Sequence, residues 1–147
     1  IMGIFNIMNT SASGLTAERL RMDVIADNIA NSQTTRTENG GAYKRKMVVF
    51  GEEKKDFIVP MNITKDGTKI LKGGVKVVKI AEDKTPFNYV YDPEHPDADE
   101  KGYVAMPNVN TVKEMVDMIT ATRAYEANAT VVTNAKSMAT AALQIGK

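Results

Sequence analysis

Charged side chains are spread very unevenly along this chain of 147 residues, and that distribution constrains the fold more than any single motif. Residues 1–35 carry five charged side chains and residues 111–147 carry seven, whereas residues 36–110 carry 25. The middle segment also holds all five prolines and seven of the ten glycines. Helices with so few charges need neighbours on more than one side. We therefore expect two terminal assembly helices, within 1–35 and 111–147, and a small β domain over 36–110.

The overall charge and the lack of cysteine exclude several classes of protein. The net charge is +1, and none of the three segments is basic enough to predict a nucleic-acid surface. With no cysteine, the chain has no disulfide, no thiolate metal site and no cysteine nucleophile. No apolar run approaches the roughly 20 residues of a membrane span, so we expect no direct membrane span.

Apolar residues recur every seven positions in the N-terminal segment, which predicts one helix to about Asn31. The residues of this stripe are Met8, Leu15, Met22 and Ile29, with Ile25 between the last two. We expect Asn28 and Asn31 to shape the exit from this helix, because asparagine readily takes unusual backbone angles and bonds to nearby backbone groups.

The C-terminal segment predicts a second helix, which begins where Thr111 and Glu114 fit a capping box. Small and apolar residues of this segment form a heptad seam that permits close helix approach. The seam residues are Met115, Met118, Ala121, Tyr125, Asn128, Val132, Ala135 and Ala139. Further apolar residues lie on other faces of this helix: Val112, Val116, Ile119, Val131, Met138 and Leu143. The seam residues of both helices are the candidate assembly interface, and a buried helix in an ordinary bundle is the alternative.

The middle segment predicts five or six short strands, most of them bounded by turn residues. The candidate strands are Tyr43–Phe50, Phe57–Thr64, Thr68–Leu71, Val75–Ile80, Phe87–Tyr91 and Tyr103–Met106. The dipeptide Asp66-Gly67 is a strong hairpin signal between the second and third of them. The predicted fold class is therefore α+β, with terminal helices that pair as a coiled-coil-like layer and a small antiparallel β unit between them.

Few residues are candidates for catalysis or metal binding. His95 is the only histidine and lies in a loop of prolines and acids, so a metal-dependent enzyme that uses His95 and nearby carboxylates is one alternative. A solvated loop is the favoured interpretation, and the run Lys44–Lys46 is expected to be a solvated strand end. We expect no enzyme, no cofactor and no metal. A second alternative is a monomeric adaptor that binds a partner helix in a groove.

Short motifs at both ends of the chain resemble those of the flagellar rod and hook proteins. The first is Ile25–Thr34, in which Asp27 replaces the first of the family's two usual asparagines. The segment Tyr43–Arg45 resembles the family's next landmark, and Glu114–Asn128 closely resembles its C-terminal signature. The segment from Tyr91 to Val109, together with the short length, is similar to the members that form the proximal rod.

The resemblance implies a structural component of the bacterial flagellar basal body. Members of this family polymerise through their terminal helices into a hollow axial shaft that transmits torque and encloses the export channel. The implied partners are other copies, other rod proteins, the adaptor at the base of the membrane ring and the flagellar type III export apparatus. The implied location is the periplasmic rod.

Overall fold

This computed structural model describes residues 2–38, 40–53, 55–57 and 70–145. Within them it contains two long helices and six short strands, joined by turns and loops. The helices are α1, Met2–Ala30, and α2, Thr111–Ile145. The strands between them are β1 (Lys46–Glu52), β2 (Lys55–Phe57), β3 (Ile70–Lys72), β4 (Val75–Glu82), β5 (Asn88–Tyr91) and β6 (Tyr103–Met106). This architecture confirms the predicted α+β class. A search of the described helices finds none with the length and hydropathy to cross a membrane.

The strands pair two by two, β1 with β4, β2 with β3 and β5 with β6. In the second pair Phe57 lies opposite Ile70, and in the third Tyr91 lies opposite Tyr103, both in antiparallel register. The predicted hairpin turn at Asp66-Gly67 lies outside the described residues.

Strand boundaries follow the sequence prediction closely at β6 and less closely at β1. The predicted strand begins at Tyr43, whereas β1 begins at Lys46. The reason is that the backbone N–H groups of Tyr43 and Arg45 bond elsewhere: the Tyr43 N–H donates to the Thr34 carbonyl, 3.0 Å away, and the Arg45 N–H donates to Asn108 Oδ1, 2.8 Å away. Tyr43–Arg45 is therefore an anchored lead-in to β1 rather than part of the sheet.

The residues group into two compact units, each of which combines part of both helices with part of the middle segment. The first unit contains residues 1–19, 50–78 and 123–147, and the second contains 20–49 and 79–122. The division into segments 1–35, 36–110 and 111–147 stays a prediction about which parts fold on their own.

In the first unit, α1 and α2 come into close contact at a glycine. A Cβ built at Gly14 would lie 3.1 Å from the side-chain amide of Asn128, so the lack of a side chain allows this approach. On another part of α1, Thr10 Oγ1 donates to the Gly73 carbonyl over 2.8 Å and Ser13 Oγ accepts from the Val75 N–H over 3.1 Å. These bonds attach the start of β4 to α1.

In the second unit, the two helices run antiparallel. Met22 contacts Thr122, with 3.6 Å between sulfur and hydroxyl oxygen, while Asn28 contacts Glu114 over 3.0 Å. A later residue of α1 therefore contacts an earlier residue of α2, as antiparallel helices require. The buried apolar side chains of this unit come from both helices and from the middle segment: Val24, Ile25, Ala42, Tyr43, Val104 and Ala121.

Candidate assembly interface

The seam residues proposed for assembly are mostly covered within the chain itself. Four are buried: Ile25, Asn28, Ala121 and Ala135. Ten are half-buried: Met8, Leu15, Met22, Ile29, Asn31, Met118, Tyr125, Asn128, Val132 and Ala139. Met115 alone among them is exposed. Their role in contacts between subunits stays a prediction.

A second set of α2 side chains faces solvent. Val112, Met115, Val116 and Ile119 follow the spacing of one helix face, and their side chains are 54 to 70% exposed. We call these four residues the α2 stripe. Val131, Met138 and Leu143, also predicted to lie off the seam, are exposed as well. An apolar row of this kind on a helix surface is typical of a contact with another molecule.

A buried polar cluster lies on the other side of α2 from the stripe. Glu114 is fully buried and Asn28 is 1% exposed. The Asn28 amide nitrogen donates to the Lys46 carbonyl (2.8 Å) and to Glu114 Oε2 (3.0 Å). Its amide oxygen accepts from the Tyr43 hydroxyl (3.1 Å) and the Lys46 N–H (2.9 Å). All four hydrogen-bonding sites of this buried amide are thus used.

Arg45 supplies the positive charge of the cluster. Its Nε donates to Glu114 Oε1 over 2.7 Å, and its other nitrogens lie 3.4 Å from Asp83 and 3.7 Å from Asp117. The prediction of a solvated strand end is therefore wrong for Arg45, whose side chain is 13% exposed. Its three acidic partners hold the Arg45 side chain against the protein, whereas Lys44 remains exposed beside Glu82.

Asn110, rather than Thr111, caps α2. The Lys113 N–H donates to Asn110 Oδ1 over 3.1 Å, and the Glu114 N–H donates to the Asn110 carbonyl over 2.9 Å. The predicted capping box is therefore wrong, since the Glu114 carboxylate bonds to Asn28 and Arg45 instead. A tertiary partner with a full charge has displaced the local backbone partner.

The two asparagines near the end of α1 act differently from each other. Asn31 Nδ2 donates back to the Asp27 carbonyl over 2.9 Å, and its Oδ1 accepts from the Thr34 hydroxyl over 3.2 Å. These local bonds shape the turn after the helix, as predicted. Asn28 instead connects the helix to the lead-in of β1 through Tyr43 and Lys46.

The hydroxyl of Tyr43 is held in its neutral form by this environment. Burial raises its pKa above the ordinary 10.0, and the carboxylates of Asp27 and Glu114 raise it further. Since the folded-state pKa is the higher one, the stabilisation is complete below pH 10.0 and is lost as the pH rises above that value.

We therefore expect the free energy of unfolding to fall in alkaline solution, and Tyr43→Phe to flatten this decline. Denaturant unfolding on either side of pH 10.0 measures both slopes. A substitution at the exposed Tyr89 is the control. Equal alkaline slopes for Tyr43→Phe and the unsubstituted protein would contradict the assignment.

His95 takes part in the structure of its own loop. Its Nδ1 accepts the Asp97 N–H over 3.1 Å, and Thr35 donates to the Asp97 carboxylate over 2.9 Å. The loop closes at Gly102, where a positive φ of 80° favours glycine and where the Cβ of any other residue would lie only 3.0 Å from the Tyr91 ring. Within the described ranges, no three histidine or acidic side chains come together as a metal site would require.

Both ends of the chain match known families of flagellar rod proteins. A family described as flagella basal body rod protein matches residues 8–36. The C-terminal family of the flagellar basal body rod FlgEFG proteins matches residues 100–145. The flagellar basal-body rod protein FlgC of Bacillus subtilis is 48% identical over 99% of this chain and 100% of its own length.

The chain belongs to the FlgC family of flagellar basal-body rod proteins. The FlgC proteins of Borreliella burgdorferi and Escherichia coli are 47% and 38% identical to it, and the alignments cover 98% and 99% of this chain. They cover 98% and 100% of those proteins. The chain is a structural component of the bacterial flagellar basal-body rod, which confirms the resemblance seen in its motifs.

Sequence reasoning identified the helix faces of this rod protein but missed the residues that join them. The pairing of Arg45 with Asp83, Asn108 and Glu114 had no signal in the sequence, because these bonds span 38 or more positions along the chain. Glu114 and Asn28 lie inside the two terminal motifs.

Proposed function

We propose that this rod protein polymerises through the outward faces of its terminal helices, as part of the proximal rod. The observation that carries the proposal is the α2 stripe. Val112, Met115, Val116 and Ile119 are more than half exposed at the start of the helix. Burying one such side chain fully contributes about 1.5–3 kcal/mol, so a neighbouring subunit gains substantially by covering all four.

Hydroxyl groups along α2 support a dry contact. Thr122, Thr130, Thr133 and Thr140 each donate to the carbonyl four positions earlier, over 2.9 to 3.1 Å. A threonine whose donor is already satisfied exposes mainly its methyl group to a neighbour. The helix can therefore be covered by another subunit without leaving these hydroxyl donors unpaired.

The predicted seam residues have a different part in this proposal. Met115 belongs to the stripe, whereas buried residues such as Ala121 and Ala135 hold the helices in place within the subunit. The assembly interface of the proposal therefore combines the stripe with those seam residues that remain half-exposed, such as Tyr125 and Val132.

Contacts of this kind join different patches on neighbouring subunits and build a helical tube rather than a closed dimer. The expected partners are further copies, other rod proteins and the adaptor at the base of the membrane ring. The type III export apparatus would deliver the chain to the periplasmic rod. Close packing of many small contacts gives such a tube the rigidity needed to transmit torque around the export channel.

We propose no catalytic role. The imidazole Nδ1 of His95 already accepts a backbone N–H of its loop, which supports a structural use of the only histidine. Metal analysis of the purified protein and of His95→Ala tests the alternative of a metal-dependent enzyme. Stoichiometric metal that is lost on substitution would favour that alternative.

Sedimentation velocity at rising concentration tests the proposal in solution. We expect the full chain to self-associate progressively, without stopping at a dimer, because the contacts do not close. A chain that stays monomeric at every concentration would support the helix-binding adaptor instead. A single stable dimer would contradict the heterologous contact.

A further inference from the structure

The seven-residue repeats of α1 and α2 leave their relative position poorly determined. Residues 8, 15, 22 and 29 are all apolar, and residues 118, 125, 132 and 139 are all apolar or small. If one helix slides along the other by seven positions, each side chain meets another of the same kind. Hydrophobic packing alone discriminates weakly between such registers.

The polar cluster of the second unit can form in one register only. The Asn28–Glu114 bond (3.0 Å) joins the helices directly, and Arg45 reaches Glu114 (2.7 Å) from the lead-in to β1. A shift of α2 by seven positions in one direction would bring Ala121 opposite Asn28. A shift in the other direction would bring Glu114 opposite Arg21 and leave Arg45 without its carboxylate.

We propose that the buried Asn28–Arg45–Glu114 cluster fixes the register of the two helices. Every alternative register leaves a buried amide or charge without its partner, whereas the native one satisfies all of them. A polar group in an otherwise apolar helix contact is the best-attested means of selecting one register. The register also depends on the segment between the helices. Arg45 lies in the lead-in to β1, where its backbone N–H donates to Asn108, and from this position its side chain reaches Glu114.

The register of the helices also determines which surface the subunit presents. A slip of seven residues displaces α2 by about 10 Å along α1. The α2 stripe would then lie beside different α1 residues, and a subunit in the wrong register would present a different face. The register proposal does not rest on assembly, because it concerns the isolated chain.

Thiol cross-linking can read the register directly, since the protein contains no cysteine. The pair Met22→Cys/Thr122→Cys reports the native register, in which these side chains are in contact. In the pair Met22→Cys/Met115→Cys the second cysteine lies seven positions nearer the start of α2, so this pair reports the slipped register in which Glu114 lies opposite Arg21. Each pair is made in the otherwise unchanged protein and with Arg45→Met/Glu114→Met, and is treated with a short thiol-specific cross-linker.

We expect the unchanged background to cross-link through 22–122 and not through 22–115. The double methionine background should keep its helical circular dichroism, because apolar side chains replace both members of the charge pair. It should lose most of the 22–122 product, and the 22–115 product should appear.

Arg21→Met is the matched control, since it breaks a partly exposed pair 4.0 Å apart between the same helices and leaves Asp117 beside Arg45. This control should keep the 22–122 product alone. If the double methionine background retains the full 22–122 yield, the register is set elsewhere and the proposal fails. If that background loses its helicity, the cluster holds the fold rather than the register, which also overturns the proposal.

Discussion

We expect Glu114→Ala to lower the free energy of unfolding by about 3–5 kcal/mol, the range found when one member of a buried ion pair is removed. Glu114 is fully buried, and its carboxylate accepts from Arg45 at 2.7 Å and from Asn28 at 3.0 Å. Alanine would leave the Arg45 guanidinium, 13% exposed, without its closest partner. Chemical denaturation of the purified chain, followed by circular dichroism, measures the change.

Two controls separate the charge effect from loss of volume. Arg45→Met/Glu114→Met removes both charges and should destabilise the protein much less than Glu114→Ala does. Asp117→Ala removes a carboxylate that is 30% exposed and 3.7 Å from Arg45, so we expect a cost of about 1 kcal/mol or less. A Glu114→Ala protein as stable as Asp117→Ala would show that the cluster contributes little.

We expect Val116→Asp/Ile119→Asp to abolish assembly and swimming while leaving the isolated chain folded. Both side chains are more than half exposed, so water can solvate the new carboxylates in the monomer. In a contact between subunits the same carboxylates would be buried without partners, at a cost of several kcal/mol each. Motility in soft agar and the thermal melting curve of the purified variant give the two readouts.

Lys113→Glu is the control for this variant, because it changes the charge on the same exposed turn but lies off the α2 stripe. We expect this control to swim. If the double aspartate variant swims normally, the stripe is not an assembly surface. If it fails to swim because its melting temperature has collapsed, the stripe belongs to the fold of the subunit instead.

Local patterns were sufficient to predict the secondary structure of most of the described chain. The seven-residue repeats predicted both helices, α1 to within one residue of its end at Ala30. The strand Tyr103–Met106 coincides with β6. These predictions succeeded because periodicity and turn residues act over a few positions.

The polar cluster could not be predicted in the same way. Glu114 had a plausible local role as a capping residue, and that role competed in the sequence with a partner 69 positions away. The pairing of Arg45 with Glu114 becomes visible only when the lead-in to β1 and the start of α2 are brought together. Burial decides between the two roles, because leaving a buried carboxylate without a positive partner costs more free energy than leaving the helix start without a second cap.

The same cluster bears on whether the predicted β domain, residues 36–110, folds without the terminal helices. Arg45 lies in that fragment, whereas its closest carboxylate belongs to α2 and the amide that binds Lys46 belongs to α1. A fragment cut at these boundaries would lose both Glu114 and Asn28, and the buried side chain of Tyr43 would become exposed. Its independent stability stays a prediction that limited proteolysis of the full chain can test.

Electron cryomicroscopy of purified basal bodies tests the central claim most directly. The account predicts that this chain lies in the rod with Val112, Met115, Val116 and Ile119 of α2 packed against a neighbouring subunit. It also predicts that the Asn28–Arg45–Glu114 cluster remains buried within each subunit. A rod map in which the α2 stripe faces solvent or the central channel, or in which this chain is absent from the rod, would contradict the account.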